Sequence, residues 1–272
     1  MVSESEDMQP ISVVIHGVLG KMGSEVLSAV ARDSNLLPIG GIDKGAINSS
    51  IPLPNGNDSM PLYPDAESAL ADSVPNVMVD FTNAEASLLA CRIAASKGVS
   101  VVVGSTGLTE SHMQEMETLA NNNRVGIFVA PNFAIGAVLL MHLANGIGKF
   151  FQYADIVEMH HEAKIDSPSG TAMALAKNLS VGRDNQFTRP SPEKEPIEGS
   201  RGGQLDGVSI HSIRMPGRMA HHQVILGTQG QTLTLQHDTI NRECYMPGVI
   251  LAINEVVKKP GLVIGLENLL NL

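Results

Sequence analysis

The chain has almost no cysteine: Cys91 and Cys244 are the two in 272 residues. Neither belongs to a Cys-x-x-Cys pair, and two thiols so far apart exclude a disulfide framework, which points to a reducing, cytoplasmic setting. Long hydrophobic runs are missing as well. No apolar stretch reaches the ~20 residues needed to span a bilayer, and the first ten residues are polar and acidic, so neither export nor a membrane partner is expected. Cations are in short supply. With 18 Lys and Arg against 28 Asp and Glu, the formal charge of −10 would repel a phosphate backbone and excludes a general nucleic-acid binder. An anionic small molecule would need local groups to overcome that field. There are no internal repeats and no long featureless tract. With 43% of residues apolar, the length suits two modest folded domains better than one large one.

Residues 11–23 read Ile-Ser-Val-Val-Ile-His-Gly-Val-Leu-Gly-Lys-Met-Gly. An apolar, β-branched run meets Gly17, Gly20 and Gly23, the pattern of a strand, a tight turn and a helix start, with Lys21 and Met22 inside it. Amides at a helix start favour a pyrophosphate, and glycine lets the backbone come close to it. The spacing is G-x-x-G-x-x-G, with Leu19 where the commoner motif has its middle glycine. Taken alone, the turn reads equally well as an ordinary strand-to-helix connection. Its context tips the balance. A helical pattern over 24–32 leads into an apolar stretch, 36–42, that ends at Asp43, about 20 residues past the turn, where a dinucleotide fold puts the acid that bonds the adenosine ribose. That acid suits NADH, while the neighbouring Lys44 could accept the 2′-phosphate of NADPH, so the cofactor reads as NADPH or NADH.

Residues 45–64, rich in Gly, Pro, Asn and Ser, read as an irregular surface loop. A βα alternation then resumes, with strands over 77–81, 99–103 and 125–130 and helices over 85–96 and 109–121. Such alternation implies a largely parallel sheet with its ligand at the strands' carboxyl ends. The strands there run into small, hydroxyl or amide residues: Gly17, Thr82, Gly104-Ser105-Thr106, and Asn132 within Ala130-Pro131-Asn132-Phe133. Four such ends in register read as a nucleotide crevice, in which Phe81 is either core or a cover for the cofactor ring. After Phe133 the rhythm changes: a long helix over 135–151, a strand over 154–160, a helix over 171–179, a polar loop over 180–206, and strands over 207–215, 220–226 and 232–236. An amphipathic helix over 248–258 is placed back on the first domain. The fold class is therefore α/β, a Rossmann-type dinucleotide-binding domain (1–132 with 242–272) plus an α+β substrate and oligomerisation domain (133–241) with a mixed or antiparallel sheet.

Chemistry concentrates at residues 160–171, His-His-Glu-Ala-Lys-Ile-Asp-Ser-Pro-Ser-Gly-Thr. A His-Glu-x-x-His zinc motif fails because Ile165 stands where the second histidine belongs, so no metal site is expected. His221 and His222 read as ordinary histidines with no reactive neighbour. Ser169, Gly170 and Thr171 lead into a helix whose positive end could bind a carboxylate. Lys164 offers a cation and a proton, and His160 or His161 can donate a proton near neutral pH. Both histidines can reach one ligand only if the strand has ended there. With a nicotinamide nearby, this set suits hydride delivery to a C=N or C=C bond followed by protonation. A semialdehyde or imino-acid dehydrogenase of similar build is an alternative, weakened by the lack of a partnered cysteine; a dinucleotide-sensing regulator is a third.

The His160-His161-x-x-Lys164-x-Asp166-x-Pro168-Ser169-Gly170-Thr171 signature resembles that of the dihydrodipicolinate reductase family. The Gly17–Gly23 turn, Gly104-Ser105-Thr106-Gly107 and Ala130-Pro131-Asn132-Phe133 support the resemblance, as does the order of elements over nearly the whole chain. Val18-Leu19 and the 180–206 loop depart from the family's usual pattern. The resemblance implies NAD(P)H-dependent reduction of 4-hydroxy-tetrahydrodipicolinate, a cyclic dicarboxylate, in lysine biosynthesis through diaminopimelate, by a homotetramer. It implies His160 and Lys164 as catalytic residues, with His161, Ser169, Gly170 and Thr171 on the substrate. Gly17, Gly20, Lys21, Met22, Gly23, Asp43, Lys44, Phe81, Thr82, Gly104, Ser105, Thr106, Ala130, Pro131, Asn132, Phe133 and, more loosely, Arg242 would hold the cofactor.

Overall fold

A computed structural model of the chain describes residues 9–272. Two compact units emerge, one formed by the chain up to Phe133 with Tyr245–Leu272, the other by Ala134–Cys244. No helix among the described residues is long and apolar enough to cross a membrane.

The first unit begins with β1 (Ile11–His16), α1 (Lys21–Arg32) and β2 (Leu36–Ile42). Residues 45–64, expected to be irregular, instead hold two short strands, β3 (Ser50–Pro52) and β4 (Ser59–Tyr63), that form an antiparallel hairpin. The turn residues read from sequence sit between them, while alternate burial of Met60 and Leu62 holds β4 to the sheet edge beside β2. Next come α2 (Ala66–Asp72), β5 (Val77–Asp80), α3 (Ala84–Ser96), β6 (Ser100–Val103), α4 (Glu110–Asn123) and β7 (Gly126–Val129). Helix starts are marked by side-chain caps: Asn83 accepts from the Ala86 amide, and Thr109 and His112 form a capping box.

The second unit contains α5 (Ile135–Ile147), β8 (Tyr153–His160), α6 (Gly170–Ser180), β9 (Gly203–Leu205), β10 (Val208–Arg214), β11 (Ala220–Thr228) and β12 (Gln231–Thr239). The chain then returns to the first unit with α7 (Met246–Val256), β13 (Gly261–Ile264) and α8 (Glu267–Leu270). The helix expected to run to 151 breaks into a 3-10 turn at Gly148, whose Cα faces the Leu179 backbone so closely that a β-carbon would lie 2.1 Å from its carbonyl oxygen.

The first sheet has the order β13-β7-β6-β5-β1-β2-β4-β3 and is parallel except for the edge strand β3. β5, β6 and β7 are buried on both faces, as helices on either side of a parallel sheet require. Val14, Met78, Val101 and Ile127 meet Cys91, Met116 and Ala120 in its core; each large side chain so buried contributes about 1.5–3 kcal/mol. Strand order reverses between β1 and β5, where a doubly wound sheet opens its crevice. The second sheet has the order β12-β11-β8-β10-β9, with only β8 and β10 parallel. Along β8, Ala154, Ile156, Glu158 and His160 are buried in alternation. Their face meets α5 and α6 through a core including Leu140, Ala144, Leu175 and Leu179.

Candidate active site

At the carboxyl ends of β1 and β5, a cleft of about 470 Å³ is lined by Gly17, Gly20, Asp43, Lys44, Phe81 and Thr82. His16, Pro64, Asp65, Asn83, Ala86, Leu89 and Ile93 are among the others that line it, and none of these was selected from sequence. Asp43 ties the loops together: its carboxylate accepts from the amides of Leu19 (3.1 Å) and Gly45 (2.9 Å). Gly23 lies at the start of α1, where a β-carbon would come 2.0 Å from the Gly17 carbonyl oxygen. Only glycine lets the helix begin so close under the turn. α1 has no side-chain cap at Gly20, so the amides of its first turn, at Lys21 and Met22, remain open to an anion.

A polar knot supports the cleft floor. Asp80, fully buried, accepts from Ser105 Oγ (2.5 Å) and Thr82 Oγ1 (2.9 Å), and Ser105 Oγ in turn accepts from the Thr82 amide. His16 Nδ1 approaches Asp80 Oδ2 to 2.5 Å, off the line of a well-formed hydrogen bond. Burial pushes the Asp80 carboxyl up, yet these partners outweigh it and hold it below the usual carboxylate range. Ser105 is thus occupied within the protein, and Thr106 is exposed beside it. Phe81 packs its ring on Gly104, where a β-carbon would lie 2.2 Å from Cε1, and on Phe133 at 5.6 Å between centroids. Phe133 is buried against Phe128 as well. That packing puts Phe133 in the first unit, one residue beyond the expected boundary. Ala130 is buried, Pro131 exposed and Asn132 half-buried; none of the three lines the cleft. Arg242 begins a 3-10 turn on the second unit, where the first had been expected.

An open helix start, a carboxylate at the end of β2 and an apolar slot between Pro64 and Ile93 fit a dinucleotide in type and order. A phosphate, a ribose and an aromatic base each meet the chemistry they need.

The second unit gathers the other set. β8 ends at His160, so His161 lies past the strand end and is exposed, while His160 points inward with Glu158. His160 Nδ1 lies 2.5 Å from Glu158 Oε2. Arg214 grips the same carboxylate through two nitrogens at 2.9 and 2.7 Å, and the Ser169 amide donates to it at 3.2 Å. The Ser169 hydroxyl caps α6 by accepting from the Ala172 amide and stands 3.3 Å from His222 Nε2. Both polar groups of Ser169 are therefore used inside the protein, and the residue is 2% exposed. Lys164 Nζ lies 2.6 Å from Asp166 Oδ1, and the Gly170 amide also faces that carboxylate. An ammonium and a helix start thus already converge on one carboxylate.

Burial pushes the Glu158 carboxyl up, but its bonds from Arg214, Ser212 and His160 win and hold it at about 2. Burial also lowers the His160 imidazole, against the opposing pull of Glu158. His160 is therefore largely neutral at pH 7, with its Nδ1–H donated to Glu158. His222 was read as having no reactive neighbour, and the structure corrects this. Its ring meets His160 edge-on at 5.3 Å, and burial and His160 lower it to about 4. His221 pairs with Asp238 at 2.7 Å. Among the described residues no group of three or more His, Cys, Asp or Glu could hold a metal ion.

Comparison with known proteins shows the family. Residues 11–133 match the family model for the amino terminus of dihydrodipicolinate reductase, and 136–270 match that for its carboxyl terminus. The chain belongs to the dihydrodipicolinate reductase family. A 4-hydroxy-tetrahydrodipicolinate reductase from Dehalococcoides mccartyi is 48% identical over 97% of this chain and 100% of its own. One from Moorella thermoacetica is 42% identical over 96% and 98%. Among solved structures, the dipicolinate-bound reductase from Paenisporosarcina sp. TG-14 aligns with a TM-score of 0.85 at 37% identity, covering 96% of this chain and 99% of that one. A Mycobacterium smegmatis amine dehydrogenase, at 15% identity and a TM-score of 0.61, shares the fold alone. The activity of this member is accordingly 4-hydroxy-tetrahydrodipicolinate reduction in lysine biosynthesis.

Proposed function

We propose that the chain reduces 4-hydroxy-tetrahydrodipicolinate with NADH or NADPH held by the first unit and the cyclic dicarboxylate held by the second. Overall, one hydride enters the ring and one hydroxyl leaves as water with one proton. When bound, the nicotinamide supplies the hydride. The first-turn amides of α1 meet the pyrophosphate, Asp43 the adenosine ribose, and Lys44 a 2′-phosphate where there is one. Phe81 and Thr82 line the same cleft at the end of β5, with residues 104–106 at the neighbouring strand end.

The convergence of Lys164 and the α6 start on the Asp166 carboxylate carries the substrate reading. A substrate carboxylate finds there the partners that Asp166 has now, joined by His161 and Thr171. Lys164 supplies the proton. His160, neutral in the free protein with its Nδ1–H turned to Glu158, gains a proton as the dianion arrives. The enzyme works in the cytoplasm as a homotetramer. Lys164→Ala is expected to lower kcat by about a hundredfold or more while NADH, titrated by its fluorescence, binds as before. Unchanged turnover would overturn the assignment.

A further inference from the structure

Glu158 and Arg214 belong to neither the cofactor nor the substrate set, yet they touch His160 and the loop that carries Lys164. Glu158 is fully buried and reaches His160 Nδ1. Arg214 holds both Glu158 oxygens and, through Nη2, donates to the Asp166 carbonyl at 2.7 Å. Asp166 is the residue whose side chain holds Lys164. The β10–β8 register sets this up: Arg214 pairs with His160, and Ser212 with Glu158. Met215 then donates its amide to the His160 carbonyl at 3.1 Å, fixing the strand end from the other side.

We propose that Glu158 and Arg214 are positioning residues that lock His160 in its Nδ1–H tautomer and, through the Asp166 backbone, hold in place the loop that carries Lys164. The inference rests on the reading that His160 and Lys164 carry the chemistry. Two features argue against mere packing. A buried carboxylate that needed only neutralising could be met by one cation, but this one also accepts from an imidazole and from the Ser169 amide. The Arg214 fork, in addition, reaches past its carboxylate to the backbone of the loop that holds Lys164, which a lysine with one nitrogen could not do. The charged and titratable groups facing His160 are Glu158 on its own strand, Arg214 on β10, Lys164 on the loop and His222 on β11, with His221 and His237 behind His222.

The test combines the wild-type protein with Arg214→Lys and Glu158→Gln. In the wild type, histidine nitrogen NMR is expected to show His160, assigned by its loss in His160→Gln, as the Nδ1–H tautomer near neutral pH. The Nε2–H tautomer would overturn the proposal without any variant having to fold. Arg214→Lys and Glu158→Gln are expected to lower kcat about tenfold or more with little change in NADH affinity, which also reports folding of the first unit. Circular dichroism checks the second unit. In Glu158→Gln the limb of the kcat profile that His160→Gln abolishes should move to lower pH, because the carboxylate that favours the charged imidazole is gone. A profile reduced in height but unmoved in pH means a structural role only and sinks the proposal, as does an unaltered kcat in Arg214→Lys. If His160→Gln and Lys164→Ala both keep full turnover, the underlying reading fails; if they lose it while these two variants do not, this inference alone fails.

Discussion

A fully buried carboxylate is tolerable only while its partners keep it charged, so Glu158 links stability of the second unit to pH. Its folded-state value lies below the ordinary 4.5, at about 2. The contribution is therefore present above pH 4.5 and is lost as pH falls toward 2. A shift of that size corresponds to roughly 3 kcal/mol. Denaturant unfolding of the wild type should weaken by about that amount over this range, relative to Glu158→Gln. Equal pH slopes in the two proteins would contradict the account. His160 behaves in the opposite sense. Its value in the free protein is lowered by burial, and a dianion bound beside it, as proposed, would raise the affinity for a proton. Binding of a cyclic dicarboxylate should thus take up protons and strengthen as pH falls from 7 toward 6. Calorimetry in buffers of different ionisation enthalpy measures the uptake, which His160→Gln should remove.

Among the elements, the start of α1 is the most sharply constrained. The β-carbon that Gly23→Ala introduces would meet the Gly17 carbonyl at 2.0 Å and the Val18 Cα at 2.7 Å, both backbone atoms that cannot swing aside. The variant is expected to lose about 2–4 kcal/mol of stability and most of its NADH affinity, read by thermal melting and by fluorescence titration. An unchanged melting temperature would show that the turn is looser than its geometry implies. This element was legible in the sequence because strand, glycine turn and helix lie within 13 adjacent residues. Asp43 was legible for a similar reason, at the end of the next strand. The neighbours of His160 were only half legible. Glu158 stands two residues before it, and strand periodicity alone puts both on one face. Arg214 and His222 come from strands more than 50 residues away, and nothing local reveals that β10 pairs with β8 in parallel. Ser169 shows the converse: its place in the signature suggests a ligand contact, while its bonds to Ala172, Glu158 and His222 turn it inward.

For the whole molecule, the second sheet poses a question of burial. One face is covered by α5 and α6; the other carries Val157 and Met159 on β8, Ile213 on β10 and Ile225 on β11, which stay half-exposed or, for Ile213, 37% exposed. Register sets these side chains on one surface: Met159 pairs with Ile213 and His221, and Ile225 with Asp155. These apolar side chains stand among Asp155, His211, His221 and Gln223 on the same face, and apolar groups left half-exposed on an open sheet face favour association with another copy. In the proposed homotetramer, closing two such faces on each other by a two-fold axis would bury these side chains, and a second axis would complete the assembly. The expected mass in solution is about 115 kDa, four times the 28.8 kDa chain, by light scattering at micromolar protein. Met159→Glu with Ile225→Glu places carboxylates at two separate points of this face, where pairing would bury them at a cost of several kcal/mol each. That double variant should scatter as a smaller species while still binding NADH on the first unit. A tetramer unaffected by both charges would move the association to another surface.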